Sequence, residues 1–195
     1  MKKNLILAKN LRDKAELRKV TKLLPGWYRW WASKESLKKL LNSKFISKEY
    51  MSYLVKHLTK KRIYNKTYYY VYVGVAVKES IQERLNWHVN QKHSKTSVES
   101  GFLSTLRQTL SSLIAGNQYD EEATNDFIDT LFIEYYPIDY PIKSKEAKVL
   151  IEEIEKFELN SNVIPLNLRD NKNNVVKPFL KELSIARKIA KREAK

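Results

Sequence analysis

At 195 residues with a net charge of +15, the chain can build one real core, and about 100–200 residues per domain leaves no room for a second independent one. No run of about 18 apolar residues is present to span a membrane. The short apolar stretch Leu5-Ile6-Leu7-Ala8 is broken at Lys9 and lacks a small-residue cleavage site, which argues against a secretory leader. With no cysteine, disulfide frameworks and thiolate chemistry are excluded, and a reducing cytoplasm is the expected location.

The charge is unevenly placed. Residues 1–24, 34–66 and 177–195 carry +6, +8 and +5, so the remainder of the chain is −4. Basic arms around a mildly acidic centre suit a protein that grips a polyanion around a site of its own. Solvated helices on a basic protein are the plainer alternative.

In chain order, residues 3–24 read as an amphipathic helix carrying Leu5, Leu7, Leu11, Leu17, Val20 and Leu24, stopped by Pro25-Gly26. Gly26 to Ala32 is an aromatic run suited to a strand, its Trp and Tyr tips needing partners or solvent. Ser33 to Lys66 is a basic, mostly helical insertion with Ser33 and Ser47 as N-caps. Asn65-Lys66 turns the chain into a second aromatic strand, Tyr68 to Gly74. The period then changes: Ile81, Leu85 and Val89 recur every four residues, and Arg84 and His88 make a basic stripe beside them. Residues 93–100 read as a loop. A helix over 101–115 is expected to turn Phe102, Leu103, Leu106, Leu110, Leu113 and Ile114 inward, ending at Gly116-Asn117. After an acidic loop or short helix at 120–126, Leu131 to Pro137 is the third strand. A helix over 143–159 carries Glu146, Glu152, Glu153, Glu155 and Glu158. An extended segment, 163–170, and a basic helix from Pro178 close the chain.

Several chemistries are excluded directly. The four glycines stand too far apart for a phosphate loop, and the three histidines, His57, His88 and His93, lack zinc spacing. No Gly-x-Ser-x-Gly elbow offers a serine nucleophile.

What remains is an ordered set: Gly26-Trp27-Tyr28, Tyr72-Val73-Gly74, Ile81-x-x-Arg84-Leu85-x-x-His88, a glutamate on the 143–159 helix, and Pro165-Leu166-Asn167. This set resembles the GIY-YIG nuclease family over roughly residues 24–172. Any one triplet is weak, whereas five in order on elements of the right type are specific. The resemblance implies an α/β (α+β) domain with a small three-stranded antiparallel sheet flanked by helices. On that reading residues 1–195 form one domain, with its core at about 24–32 and 67–172, a helical insertion at 33–66, and terminal helices at 3–24 and 177–193.

The implied function is a metal-dependent endonuclease using Mg²⁺ or Mn²⁺ on DNA, with RNA left open as a substrate and the oligomeric state unassigned. In the family, the tyrosine matching Tyr28 activates or positions the nucleophile, which would require nearby cations to lower its phenol from about 10. Tyr72 would support it, Arg84 would hold a phosphate with its planar fork, and His88 would relay a proton or hold a phosphate oxygen. Glu152 is the expected metal ligand, with Glu155 in reserve, and Asn167 would fix the site floor by hydrogen bonding. Gly26 and Gly74 match the family's structural glycines. Glu153 and Glu158 are expected as solvated charges, and Arg107 and Ser104 either face nucleic acid or lie on a satisfied helix surface.

Two features depart from the family pattern. The insertion at 33–66 separates the two tyrosine strands, and Val75 stands where many members have lysine. They motivate the rival reading, a non-catalytic nucleic-acid-binding module on the same fold. Arg84-x-x-x-His88 looks most like the structure-specific and restriction-type branches.

Overall fold

Two aromatic strands form the middle of the sheet, because alternating large side chains can be buried on both of its faces. The computed structural model describes residues 4–20 and 23–192. In chain order its elements are β1 (Asn4–Leu7), a 3-10 turn (Ala8–Arg12), α1 (Lys14–Arg18), β2 (Gly26–Ser33), α2 (Lys34–Leu41), α3 (Lys48–His57), β3 (Lys60–Ile63) and β4 (Lys66–Ala76). They are followed by α4 (Ile81–Asn90), α5 (Lys95–Glu99), α6 (Thr105–Ile114), α7 (Glu121–Ile128), β5 (Phe132–Pro137), α8 (Lys145–Ser161) and α9 (Lys177–Arg192).

The sheet has five antiparallel strands in the order β1-β5-β2-β4-β3, not the expected three. Both additions are edge strands. β3, Lys-Lys-Arg-Ile, has little intrinsic strand preference and is held by pairing with β4 through a turn at Tyr64 and Asn65, whose φ values are 46° and 63°. β1 replaces the start of the expected helix over 3–24, of which only Lys14–Arg18 is α-helical; residues 3, 21 and 22 lie outside the described residues.

Register in the middle of the sheet is set by a bulge: Trp30 pairs with Tyr72 but Trp31 pairs with Tyr70, so Val71 has no partner across the ladder. One face then buries Tyr28, Trp30, Val71 and Tyr72 against Leu85, Leu106, Leu110, Phe179 and Leu183. The other buries Trp27, Trp31, Tyr70 and Val73 against Leu159 and Ile164. The indole nitrogens of Trp30 and Trp31 are buried without hydrogen-bond partners, so the expectation that each polar tip is satisfied fails there.

Glu158 is buried, not solvated. The Arg29 guanidinium holds it through Nε and Nη2, and the Tyr70 hydroxyl donates to its Oε2 at 2.8 Å. A carboxylate can be retained on an apolar face when charge and hydrogen bonds are both supplied. Two further expectations fall with the α6 region. Phe102 precedes the helix and is 71 % exposed, while Arg107 and Ser104 are fully buried, neither facing ligand nor lying on the helix surface. Arg107 donates from Nη1 to the carbonyls of His88 (3.0 Å) and Val89 (3.1 Å), from Nη2 to Asn125 Oδ1 (2.7 Å) and from Nε to His93 Nε2 (2.8 Å). It thereby closes the carboxyl end of α4, a favourable position for a cation.

His93 in turn donates from Nδ1 to the Gln118 carbonyl at 2.7 Å, so its neutral form fits the site. Burial, reinforced by Arg107, lowers its pKa to about 4. The folded chain thus binds fewer protons than the unfolded one between about pH 4 and 6.5, and stability falls as pH drops through that window. Melting curves from pH 7 to pH 4 should show a loss of about 2–3 kcal/mol attributable to His93, flattened in His93→Gln.

Candidate active site

The site is built where β4 hands the chain to α4. Ser80 caps that helix in a reciprocal box: Glu83 N–H donates to Ser80 Oγ at 3.1 Å, and Ser80 N–H donates to Glu83 Oε2 at 2.8 Å. Ile81, Leu85 and Val89 are fully buried as the four-residue spacing predicts. His88 is fully buried as well, so it lies inside the core and not on an exposed basic edge.

Tyr28 and Gly74 face each other in register across β2 and β4. A Cβ on Gly74 would lie 2.4 Å from the Tyr28 ring, so only glycine lets the phenol lie flat over the strand. In that position the Tyr28 hydroxyl is 2.7 Å from His88 Nε2. Gly26 is needed for a different approach, since a Cβ there would lie 2.2 Å from the Tyr136 carbonyl and 2.5 Å from Ile81 Cδ1.

The electrostatics of this knot differ from the expectation for Tyr28. Burial raises its pKa well above 10, the nearby Tyr72 adds to that, and the charge and hydrogen bond of Arg84 only partly oppose it. Tyr28 is therefore a protonated phenol at neutral pH. His88 is pushed well below 6.5 by burial, with Arg84 and Arg107 contributing, so it is neutral and able to accept the Tyr28 proton. Tyr72 is raised to about 12, mainly by burial.

Arg84 sits over the Trp87 ring at 4.4 Å and pairs with Glu79 Oε1 at 3.0 Å, while its buried Nε has no hydrogen-bond partner. A partly buried guanidinium with an unpaired donor beside the phenol suits an anionic oxygen. Glu79 has no place in the ordered motif, and only the fold brings it to Arg84.

The carboxylates of α8 divide by position. Glu152 is exposed and lies 3.9 Å from Lys148. Glu155, one turn on, is partly buried, and its pKa is raised by burial and by the charges of Asp170 and Glu152 while Arg84 opposes the rise. Glu152, Glu155 and Asp170 border a cleft of about 360 Å³. Among the described residues no group of three or more His, Asp or Glu side chains forms a ready metal cage. A desolvated carboxylate crowded by two others nevertheless suits a divalent cation, since one carboxylate suffices when phosphate and water fill the remaining positions.

Asn167 does what a strand would do. Its side chain accepts from Val73 N–H at 2.9 Å and donates to the Val73 carbonyl at 2.8 Å, on the edge of β4 that β3 does not reach. Leu166 N–H donates to Val71 O at 3.0 Å just before it. The edge is thus sealed beside Tyr72 and Gly74.

A family model for the GIY-YIG catalytic domain matches residues 26–189. The chain belongs to this family, whose members are in general endonucleases. No curated protein and no solved structure matches it.

Two substitutions test the geometry through stability. Gly74→Ala should destabilise the fold by about 1–3 kcal/mol in urea titration, with much of the loss absent in a Tyr28→Ala background, because the clash is with that ring. Asn167→Ala leaves two buried backbone groups unpaired and should cost about 1–3 kcal/mol.

Proposed function

We propose that the protein is a divalent-metal-dependent endonuclease that hydrolyses phosphodiester bonds in DNA, with RNA left open as a substrate. The observation carrying this reading is the Tyr28 hydroxyl held 2.7 Å from a neutral, buried His88 beside a guanidinium with an orphaned Nε. A proton acceptor, a relay and a phosphate ligand then stand side by side.

In the proposed mechanism a water gives its proton to the Tyr28 oxygen as Tyr28 passes its own to His88 Nε2. The water oxygen forms the new bond to phosphorus, the bond to the leaving ester oxygen breaks, and solvent protonates the departing alkoxide. Arg84 stabilises charge on the non-bridging oxygens, and Tyr72, still protonated, donates to one of them. Glu155 would hold Mg²⁺ or Mn²⁺, with Glu152 and Asp170 bordering the site. When bound, the ion neutralises phosphoryl charge and favours departure of the alkoxide. The basic helices α2, α3 and α9 would add salt-dependent backbone contacts.

Val75 motivates the rival binding-module reading. In β4 it pairs with Trp27 and packs with that residue's cluster, on the face opposite Tyr28. Replacing lysine there removes no cation from the Tyr28 pocket, which favours the catalytic reading.

Arg84→Ala and Glu155→Gln should each lower Mn²⁺-dependent cleavage by about 10²–10³-fold with melting temperatures preserved, whereas Glu152→Gln should stay within about tenfold of the wild type. Full activity in either of the first two would sink the assignment. Because His88 must be neutral to accept a proton and burial holds its pKa well below 6.5, the cleavage rate should stay level from pH 9 down through 6.5 and fall only on acidification well below that. A rate that instead rises with pH toward about 10 would make Tyr28 an ionised base and contradict the relay.

A further inference from the structure

α9 carries an arginine to the rim of the active site that the mechanism above does not use. Arg187 is partly buried, and its charge acts on Tyr72. It is held there by Gln108, whose Oε1 accepts from Arg187 Nη2 and whose Nε2 donates to the Gly101 carbonyl at 3.0 Å. Gln118 fixes the backbone of the same turn by donating to the Arg187 carbonyl at 3.2 Å. The guanidinium is therefore oriented in advance.

What this arrangement lacks is an acid. Among the described residues Arg187 has no carboxylate partner, and its strongest charged neighbour is another cation, Arg169, which together with burial lowers its pKa to about 10. Arg187, Lys188 and Lys191 line one side of a cleft of about 260 Å³, completed by Gln108, Gln118 and Ser184, and no Asp or Glu lines it. A flexible arginine on a surface helix could relieve this repulsion by turning to solvent. Instead an amide network holds it against a like charge, which is stable mainly when an anion completes the set.

We infer that Arg187, with Lys188 and Lys191 beside it, forms a second phosphate subsite that takes a backbone phosphodiester of the nucleic acid flanking the one at Arg84. The inference rests on the nuclease reading for the identity of the ligand, but its geometry stands apart from the cleavage chemistry. Its effect is positional: a second fixed phosphate sets the strand's register over Tyr28, because phosphate contacts orient a nucleic acid before any bond is broken.

The test is binding of a fluorescent DNA duplex in EDTA across a series of salt concentrations, comparing wild type, Arg187→Gln, Arg187→Lys and Lys66→Gln. Lys66 removes the same charge from the start of β4, six residues from Tyr72 and so about 20 Å away along the strand. Arg187→Gln should bind about tenfold more weakly with the salt slope reduced by about one contact, Arg187→Lys should recover most of the loss, and Lys66→Gln should change little. Equal losses in Arg187→Gln and Lys66→Gln, or none in Arg187→Gln, would overturn the subsite. So would a variant that keeps duplex binding but loses stabilisation by inorganic phosphate in thermal melts, since the ligand would then be a free phosphate. A wild type that binds duplex yet cleaves nothing with any divalent ion would refute the endonuclease reading alone, and the binding comparison would still decide the subsite.

Discussion

The close approach of the Tyr28 ring to the bare backbone of Gly74 is the constraint on which the site depends. It requires that β2 and β4 be paired in the observed register, and that register is adjusted two residues along by the bulge at Val71. A slip of one residue would turn Tyr28 to the opposite face and remove it from His88. The reciprocal Ser80–Glu83 cap then starts α4 at once after β4, and the buried Ile81, Leu85 and Val89 fix the helix rotation that aims His88 at the phenol. Local turn chemistry and long-range pairing therefore converge on a single oxygen.

Two polar networks hold the parts that the sheet alone cannot place. Arg107 closes the carboxyl end of α4, and Arg12 joins it there by donating to the Val89 carbonyl at 3.1 Å while pairing with Asp129. On the other face Arg29 and Tyr70 grip Glu158, and Arg29 also lies 4.7 Å above the Trp27 ring. Glu158 is three residues beyond Glu155, so locking one sets the helical phase of the other. Removing Arg29 would strand the buried Glu158 carboxylate at a cost of about 3–5 kcal/mol. Both networks therefore support the candidate site rather than belong to it.

Much of the candidate site is legible in the sequence because its residues carry their own local signals. Gly26, Tyr28, Tyr72 and Gly74 sit in aromatic strands, and Arg84 and His88 sit at helical spacing. Asn167 follows Pro165 in the segment after α8. The edge strands are less legible for a physical reason. Four residues such as Asn-Leu-Ile-Leu cannot distinguish a period of two from one of 3.6, and Lys-Lys-Arg-Ile becomes a strand only through its partner, with charges that suit an exposed edge. The buried polar residues are the least legible. Glu158 and Arg107 resemble ordinary helix charges until Arg29 and His93 are brought to them from 129 and 14 residues away. The same holds for Arg187, whose neighbours belong to three separate segments.

The central claim is that Tyr28, His88, Arg84 and Glu155 form one hydrolytic centre able to open a phosphodiester inside a chain. Covalently closed circular DNA, having no ends, tests this most directly when incubated with the purified protein and Mn²⁺. The account predicts nicked or linear products with mappable internal breaks, and none when the divalent ion is chelated. Circles that stay closed across Mg²⁺ and Mn²⁺, in duplex, branched and single-stranded form, by a folded protein that still binds them, would contradict it.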